Sequence, residues 1–238
     1  MYVFKTLACL SLFFFSACAA VQKPALVFTP GSAIDTLSTS ISLSIHSRAG
    51  SLSGNGIMIY HRPDRFHVVM LSPFGSTVLE AFALGEQLTL VFPSQTVAYT
   101  GRFDELPDDS GMQAWRLLRW VMDADPAETA GLTGAIERMA RAGGRETVVY
   151  EFGLVAAKTN VAGDRVSYRA HELVNGVPFA TELEMQTVYN DKIRLVFNDP
   201  EINAALDGTA FVPRLDGMNV LPLSTLPLVA GPGRTATE

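Results

Sequence analysis

The chain has 238 residues, long enough to bury a sizeable hydrophobic core unaided. Its 24 acidic against 18 basic residues give a formal charge of −6, which disfavours nucleic acid as a partner. The same excess argues against electrostatic adhesion to anionic lipid headgroups, so membrane contact is expected to be apolar or through an anchor.

The N-terminus reads as a charged head with Lys5, an apolar run from Leu7 to Phe15, and the small residues Ser16-Ala17 before Cys18. That is the order of an export signal, and the run is shorter than the about 20 residues a membrane span needs. Phe15-Ser16-Ala17-Cys18 resembles the bacterial lipobox, which implies lipidation at Cys18, cleavage before it, and with Ala19 next, sorting to the outer membrane. An ordinary signal cleavage around Ala17-Cys18-Ala19 is the alternative. Cleavage removes Cys9 and Lys5, leaving one cysteine, no intramolecular disulfide, and 17 bases against 24 acids.

Residues 18–36 read as a linker. From Leu37 the pattern alternates: Leu37, Thr39, Ile41, Leu43 and Ile45 are separated by Ser38, Ser40, Ser42 and Ser44, which predicts a half-buried strand. Arg48 to Gly56 reads as a turn region, followed by strands at 57–60, 65–71, 76–84, 87–92 and 96–100 with antiparallel hairpin connections. Trp115, Leu118 and Met122 have helical spacing, and Asp125-Pro126-Ala127-Glu128 predicts a second helix running toward Ile136 and Met139. Strands return at 146–155, 165–171, 179–189 and 192–197, with Asn190-Asp191 as a tight turn. The stretch 213–238 is rich in Pro and Gly and reads as extended or disordered. One antiparallel sheet interrupted by helices implies a single α+β domain over 37–212, and helices laid against a curved sheet make a container.

Between two of these strands stands Pro73-Phe74-Gly75-Ser76-Thr77-Val78-Leu79-Glu80. Pro73 presets one turn residue and Gly75 permits positive φ, but turn chemistry does not ask for an aromatic apex. Phe74 either folds back on neighbouring strands or points outward. The element resembles the LolA/LolB superfamily, and within it the outer-membrane lipoprotein receptor LolB, where a strand, a Pro-Leu-Gly-Ser-Thr turn and a Leu-Glu strand occur in this order. Leu118-Arg119-Trp120-Val121 resembles the family's lid-helix segment, and the order of elements agrees over about Ser38 to Phe197. Phe replaces Leu at the turn tip, and the Pro-rich C-terminal extension is a further departure.

The resemblance implies a half-barrel with a helical lid and a membrane-insertion loop at Pro73, Phe74 and Gly75. Acyl chains would lie in an apolar cavity for which Ile41, Ile45, Met70, Leu79 and Trp120 are the wall and lid candidates, though tryptophans such as Trp115 and Trp120 are more often plain core than ligand wall, and in this fold the two are partly the same surface. The implied partners are acylated lipoproteins, a LolA-like periplasmic carrier and, through the lipid anchor, a membrane. No cofactor or enzymatic activity is implied. His46, His61, His67 and His171 lack metal-ligand spacing, and neither a nucleophile elbow nor a phosphate or dinucleotide loop occurs. Asp123-Ala124-Asp125 offers a metal pair or, with Asp125 as N-cap, a helix start. Asp104, Glu105, Asp108 and Asp109 read as a solvated loop.

Overall fold

The computed structural model describes residues 26–47, 50–107, 113–141 and 143–227; the leader, Cys18 and the last residues of the tail lie outside this range. Strands β1 (Thr36–Ser47) and β2 (Gly50–His61) form a long hairpin, with β3 (Arg65–Leu71), β4 (Thr77–Leu84), β5 (Gln87–Phe92) and β6 (Val97–Arg102) following as a meander. The helix α1 (Gln113–Met122) comes next. Strands β7 (Gly134–Met139), β8 (Arg145–Glu151), β9 (Leu154–Asn160), β10 (Arg165–Val174), β11 (Val177–Gln186) and β12 (Lys192–Ile202) complete a second meander, and β13 (Asn219–Pro222) comes last. All join one sheet in the order β13-β6-β5-β4-β3-β2-β1-β12-β11-β10-β9-β8-β7. Neighbours are antiparallel except β13, which lies parallel to β6.

The alternation predicted for β1 holds at its start: Leu37, Thr39 and Ile41 are buried while Ser40 is exposed. Their face, with Met58, Phe66, Val68, Leu183, Leu195 and Phe197, packs against α1 through Trp120, Val121 and Met122. The sheet is thus open and curved, with one helix on its inner face among the described residues. Gly56 lets β2 and β3 come close: a Cβ there would lie 2.2 Å from the Val69 carbonyl oxygen and 3.2 Å from Met70 Sδ.

Four expectations change. The region read as a turn at 48–56 contains most of the first half of β2, because its Ser and Gly residues pair with β1 down to Ser47↔Gly50. The strand expected over 146–155 is two, β8 and β9, joined at Phe152-Gly153 with φ of 53° and 83°. No second helix forms over 125–139. Gly131 and Gly134 have φ of 70° and 133° there, Ala127 N–H donates to Gly153 O, and 134–139 pairs with β8 as edge strand β7. Nor are residues 213–227 a loose tail: Leu215 and Met218 cover Phe82, Val91 and Ala98 on the outer face, β13 shields the β6 edge, and Leu223 and Leu226 are buried in the inner core.

Candidate functional site

Three features define the candidate site: the turn carrying Phe74, the inner face below α1, and the anchorage of α1. The turn joins β3 to β4 and supplies its own hydrogen bonds. Ser72 N–H donates to Ser76 O (2.8 Å) and Gly75 N–H to Ser72 O (2.9 Å), while Ser72 Oγ accepts from the N–H of Phe74 (3.3 Å) and Ser76 (3.1 Å). Gly75 has φ of 82°, the left-handed region that glycine enters without a Cβ penalty. The backbone therefore closes without help from Phe74, whose side chain is 95% exposed. Of the two orientations open to it in the sequence, Phe74 takes the outward one.

Of the five wall and lid candidates, Ile41 and Trp120 are buried in the core. Ile45, Met70 and Leu79 are half-buried against it, as are Leu43 on β1 and Trp115, Leu117 and Leu118 on α1. Burial on the inner face declines along β1 from Leu37 to Ile45, and Met70 lies over Gly54 and Gly56. The apolar pocket beneath the C-terminal end of α1 is elsewhere, lined by Val121, Met122, Tyr168, His171, Leu183, Phe197 and their neighbours, and includes none of the five. Its volume is about 30 Å³, room for a single water-sized group. Ligand pockets generally measure about 300–1,000 Å³, so this pocket is closed to an acyl chain in this state.

What holds it closed is a buried polar knot that the sequence reading missed. Lys158 Nζ, fully buried, donates to the carbonyl oxygens of Trp120 (2.7 Å) and Asp123 (2.8 Å) and pairs with Glu146 Oε2 (2.9 Å). Glu146 also accepts from Trp120 Nε1 (2.6 Å) and Arg138 Nε (2.6 Å). The Tyr168 hydroxyl donates to Val121 O (2.6 Å), and Arg138 Nη2 to Asp123 O (3.1 Å). A helix leaves its last carbonyls without partners and its C-terminus partly negative, and here a lysine, an arginine and a tyrosine satisfy both. Burial pulls the Lys158 ammonium below its usual range, opposed by the charge and hydrogen bond of Glu146. Burial likewise holds the Tyr168 hydroxyl well above its usual range, so it remains a donor.

Asp125 is not a helix cap. Both its oxygens take the Arg62 guanidinium, and Arg141 Nη2 lies 2.9 Å from Oδ2. Burial raises its carboxyl against the opposing hydrogen bond from Arg62. No cluster of metal-ligating side chains occurs among the described residues.

No protein-family model matches the chain, and no curated protein is similar to it by sequence. Solved structures show what kind of fold it has, a curved open sheet of the LolA type. A LolA superfamily protein from Nitrosomonas europaea aligns with a TM-score of 0.51 at 10% identity, over 77% of this chain and 97% of that one. A DUF1329 family protein from Desulfovibrio piger aligns with a TM-score of 0.54 at 11% identity, over 75% and 90%.

Proposed function

We propose that the chain is an outer-membrane lipoprotein of LolB type, anchored through Cys18, that accepts acylated lipoproteins from a LolA-like periplasmic carrier and inserts them into the membrane. The observation that carries this reading is Phe74, 95% exposed on a turn that needs no aromatic. Fully burying such a side chain in apolar surroundings is worth about 1.5–3 kcal/mol, enough to touch a bilayer and too little to hold the protein there without an anchor. The LolA-type sheet supplies an inner apolar face for acyl chains, each buried methylene of which is worth about 0.8 kcal/mol.

Because the pocket below α1 holds about 30 Å³, cargo must enter by displacement of α1. The half-buried strip of Leu43, Ile45, Met70 and Leu79 beside Trp115 and Leu118 is where the cover is thinnest. The test is Phe74→Glu in a reconstituted transfer assay: the variant folds and accepts cargo from the carrier but leaves it out of the membrane. Normal insertion by Phe74→Glu sinks the proposal. The filled core favours a second reading, a lipoprotein of the same fold that touches membranes without carrying a lipid, for which apolar dyes and acylated peptide would both fail to bind. Mass spectrometry of co-purified ligand separates lipoprotein cargo from a free lipid or glycolipid.

A further inference from the structure

The turn that presents Phe74 recurs twice. In 160–164, Asn160 N–H donates to Asp164 O (3.1 Å), Gly163 N–H to Asn160 O (3.0 Å) and Asp164 N–H to Asn160 Oδ1 (3.0 Å). In 187–191, Thr187 N–H donates to Asp191 O (3.0 Å), Asn190 N–H to Thr187 O (3.0 Å) and Asp191 N–H to Thr187 Oγ1 (3.1 Å). Gly163 and Asn190, at φ of 96° and 66°, stand where Gly75 stands. Each tip is apolar and exposed: Val161 at 77%, Val188 at 49% and Tyr189 at 58%. The two turns touch, with Val188 N–H donating to Asp164 Oδ1 (3.0 Å) and Val188 Cγ1 lying 3.2 Å from where a Gly163 Cβ would be.

Directly behind the tips stand two bases. Arg165 opens β10 and Lys192 opens β12; both pair in register with Gln186 of β11, which puts them on the outer face two strand spacings, about 10 Å, apart. Both are exposed, and neither has an ion-pair partner among the described residues. Deeper on the outer face the charges cancel: Arg194 pairs with Glu182 (2.9 Å) and Arg169 with Glu184 (3.0 Å). Of the acids in the turns, Asp164 is buried with its oxygens taken by Val188 N–H and Asn160 Nδ2, and Asp191 is half-buried.

We propose that turns 160–164 and 187–191 form a second membrane-contact patch, one that docks on anionic phospholipid headgroups. Apolar tips dip below the headgroups, Tyr189 sits at their level, and Arg165 and Lys192 reach the phosphates, as long basic and aromatic side chains do at such boundaries. The net negative charge of the chain does not forbid this, since a charge acts over a Debye length of about 8–10 Å and the acids nearest the patch are paired, buried or half-buried. A protein partner fits less well, because two turn tips offer far less than the about 1,000 Å² a stable protein interface buries. The patch stands independently of Phe74 and of lipoprotein transfer.

The test is flotation of the full exported chain carrying Cys18→Ser, so that no acyl group holds it, with vesicles of phosphatidylcholine alone or mixed with phosphatidylglycerol. The chain is expected to float with the anionic vesicles and much less with the neutral ones. Each base near an anionic surface is worth about fivefold in partitioning, so Arg165→Glu with Lys192→Glu lowers binding at least about tenfold. Val188→Asp with Tyr189→Asp lowers it too, while Phe152→Asp, on an exposed turn at the other end of the strands, leaves it unchanged. Thermal melts of each variant confirm the fold. Equal binding to both vesicles, no binding to either, or full binding by the charge-reversed variant overturns the proposal. Phe74→Glu separates the two readings, because loss of cargo insertion with this patch intact leaves the difference between vesicles in place.

Discussion

Phe74 is 95% exposed, whereas Lys158 and Glu146 have no exposed side-chain surface. The turn tip and the knot under α1 thus reverse the usual partition, in which aromatic groups are buried and charges are solvated. Under the proposed function, the difference separates the group that acts from the groups that stabilise. Removing Phe74 takes nothing from the core, because its turn closes through Ser72 and Gly75. Removing a partner from the knot strands a buried charge and uncaps the helix that covers the inner face.

The comparison breaks most visibly at Lys158. Lys158→Met takes the lysine's hydrogen bonds from the Trp120 and Asp123 carbonyls, leaving the latter with Arg138 alone, and removes the cation paired with buried Glu146; the expected loss is about 3–5 kcal/mol in thermal or denaturant unfolding. A loss below about 1 kcal/mol would mean that α1 is held by its apolar face alone. Next comes Gly56→Ala, whose Cβ would meet the Val69 carbonyl at 2.2 Å, closer than any relaxation of a side chain could relieve. About 1–3 kcal/mol of destabilisation is expected, by the same measurement.

His171 sharpens the contrast through pH. Burial lowers its imidazole below the ordinary value near 6.5, against a raising hydrogen bond to the Val155 backbone. Below that ordinary value the unfolded chain binds the proton more readily than the folded one, so stability falls as pH drops toward the folded pKa. His171→Asn should flatten that slope by at most about 1.4 kcal/mol per pH unit, read from unfolding midpoints across the acid range. Smallest of all is the effect of Phe74→Glu on stability, expected within about 0.5 kcal/mol even though insertion is lost. A large drop in melting temperature would show that the tip is structural after all.

Much of the fold is legible in the chain because strand alternation and turn chemistry are local. Leu37 to Ile45 and the helical spacing from Trp115 to Met122 lie where their patterns place them, whereas the tight turn expected at Asn190-Asp191 has its tip at Val188-Tyr189, because β11 ends at Gln186 rather than at Tyr189. The segment 125–139 was misleading because Asp-Pro-Ala-Glu imitates a helix start, while the pairing that makes β7 comes from β8 further along the chain. The C-terminal stretch misled for a related reason: its few apolar residues look isolated until Leu223 and Leu226 reach the core and β13 finds β6.

Sequence by itself determined the alternation of the strands, the apex position of Phe74 and the turn residues that free it from the core. Tertiary structure alone decided which charges are buried. Counting alternately from the inward Val155, Lys158 should face water. A bulge in β9, where Val149 pairs with Ala157 but Tyr150 with Val155, inserts one residue and turns Lys158 inward, opposite Val148. Two more long-range approaches, of Glu146 and of the end of α1, give that lysine its partners. Neither the bulge nor the meeting of turns 160–164 and 187–191 has a local signal, because each exists only once distant strands have taken their register.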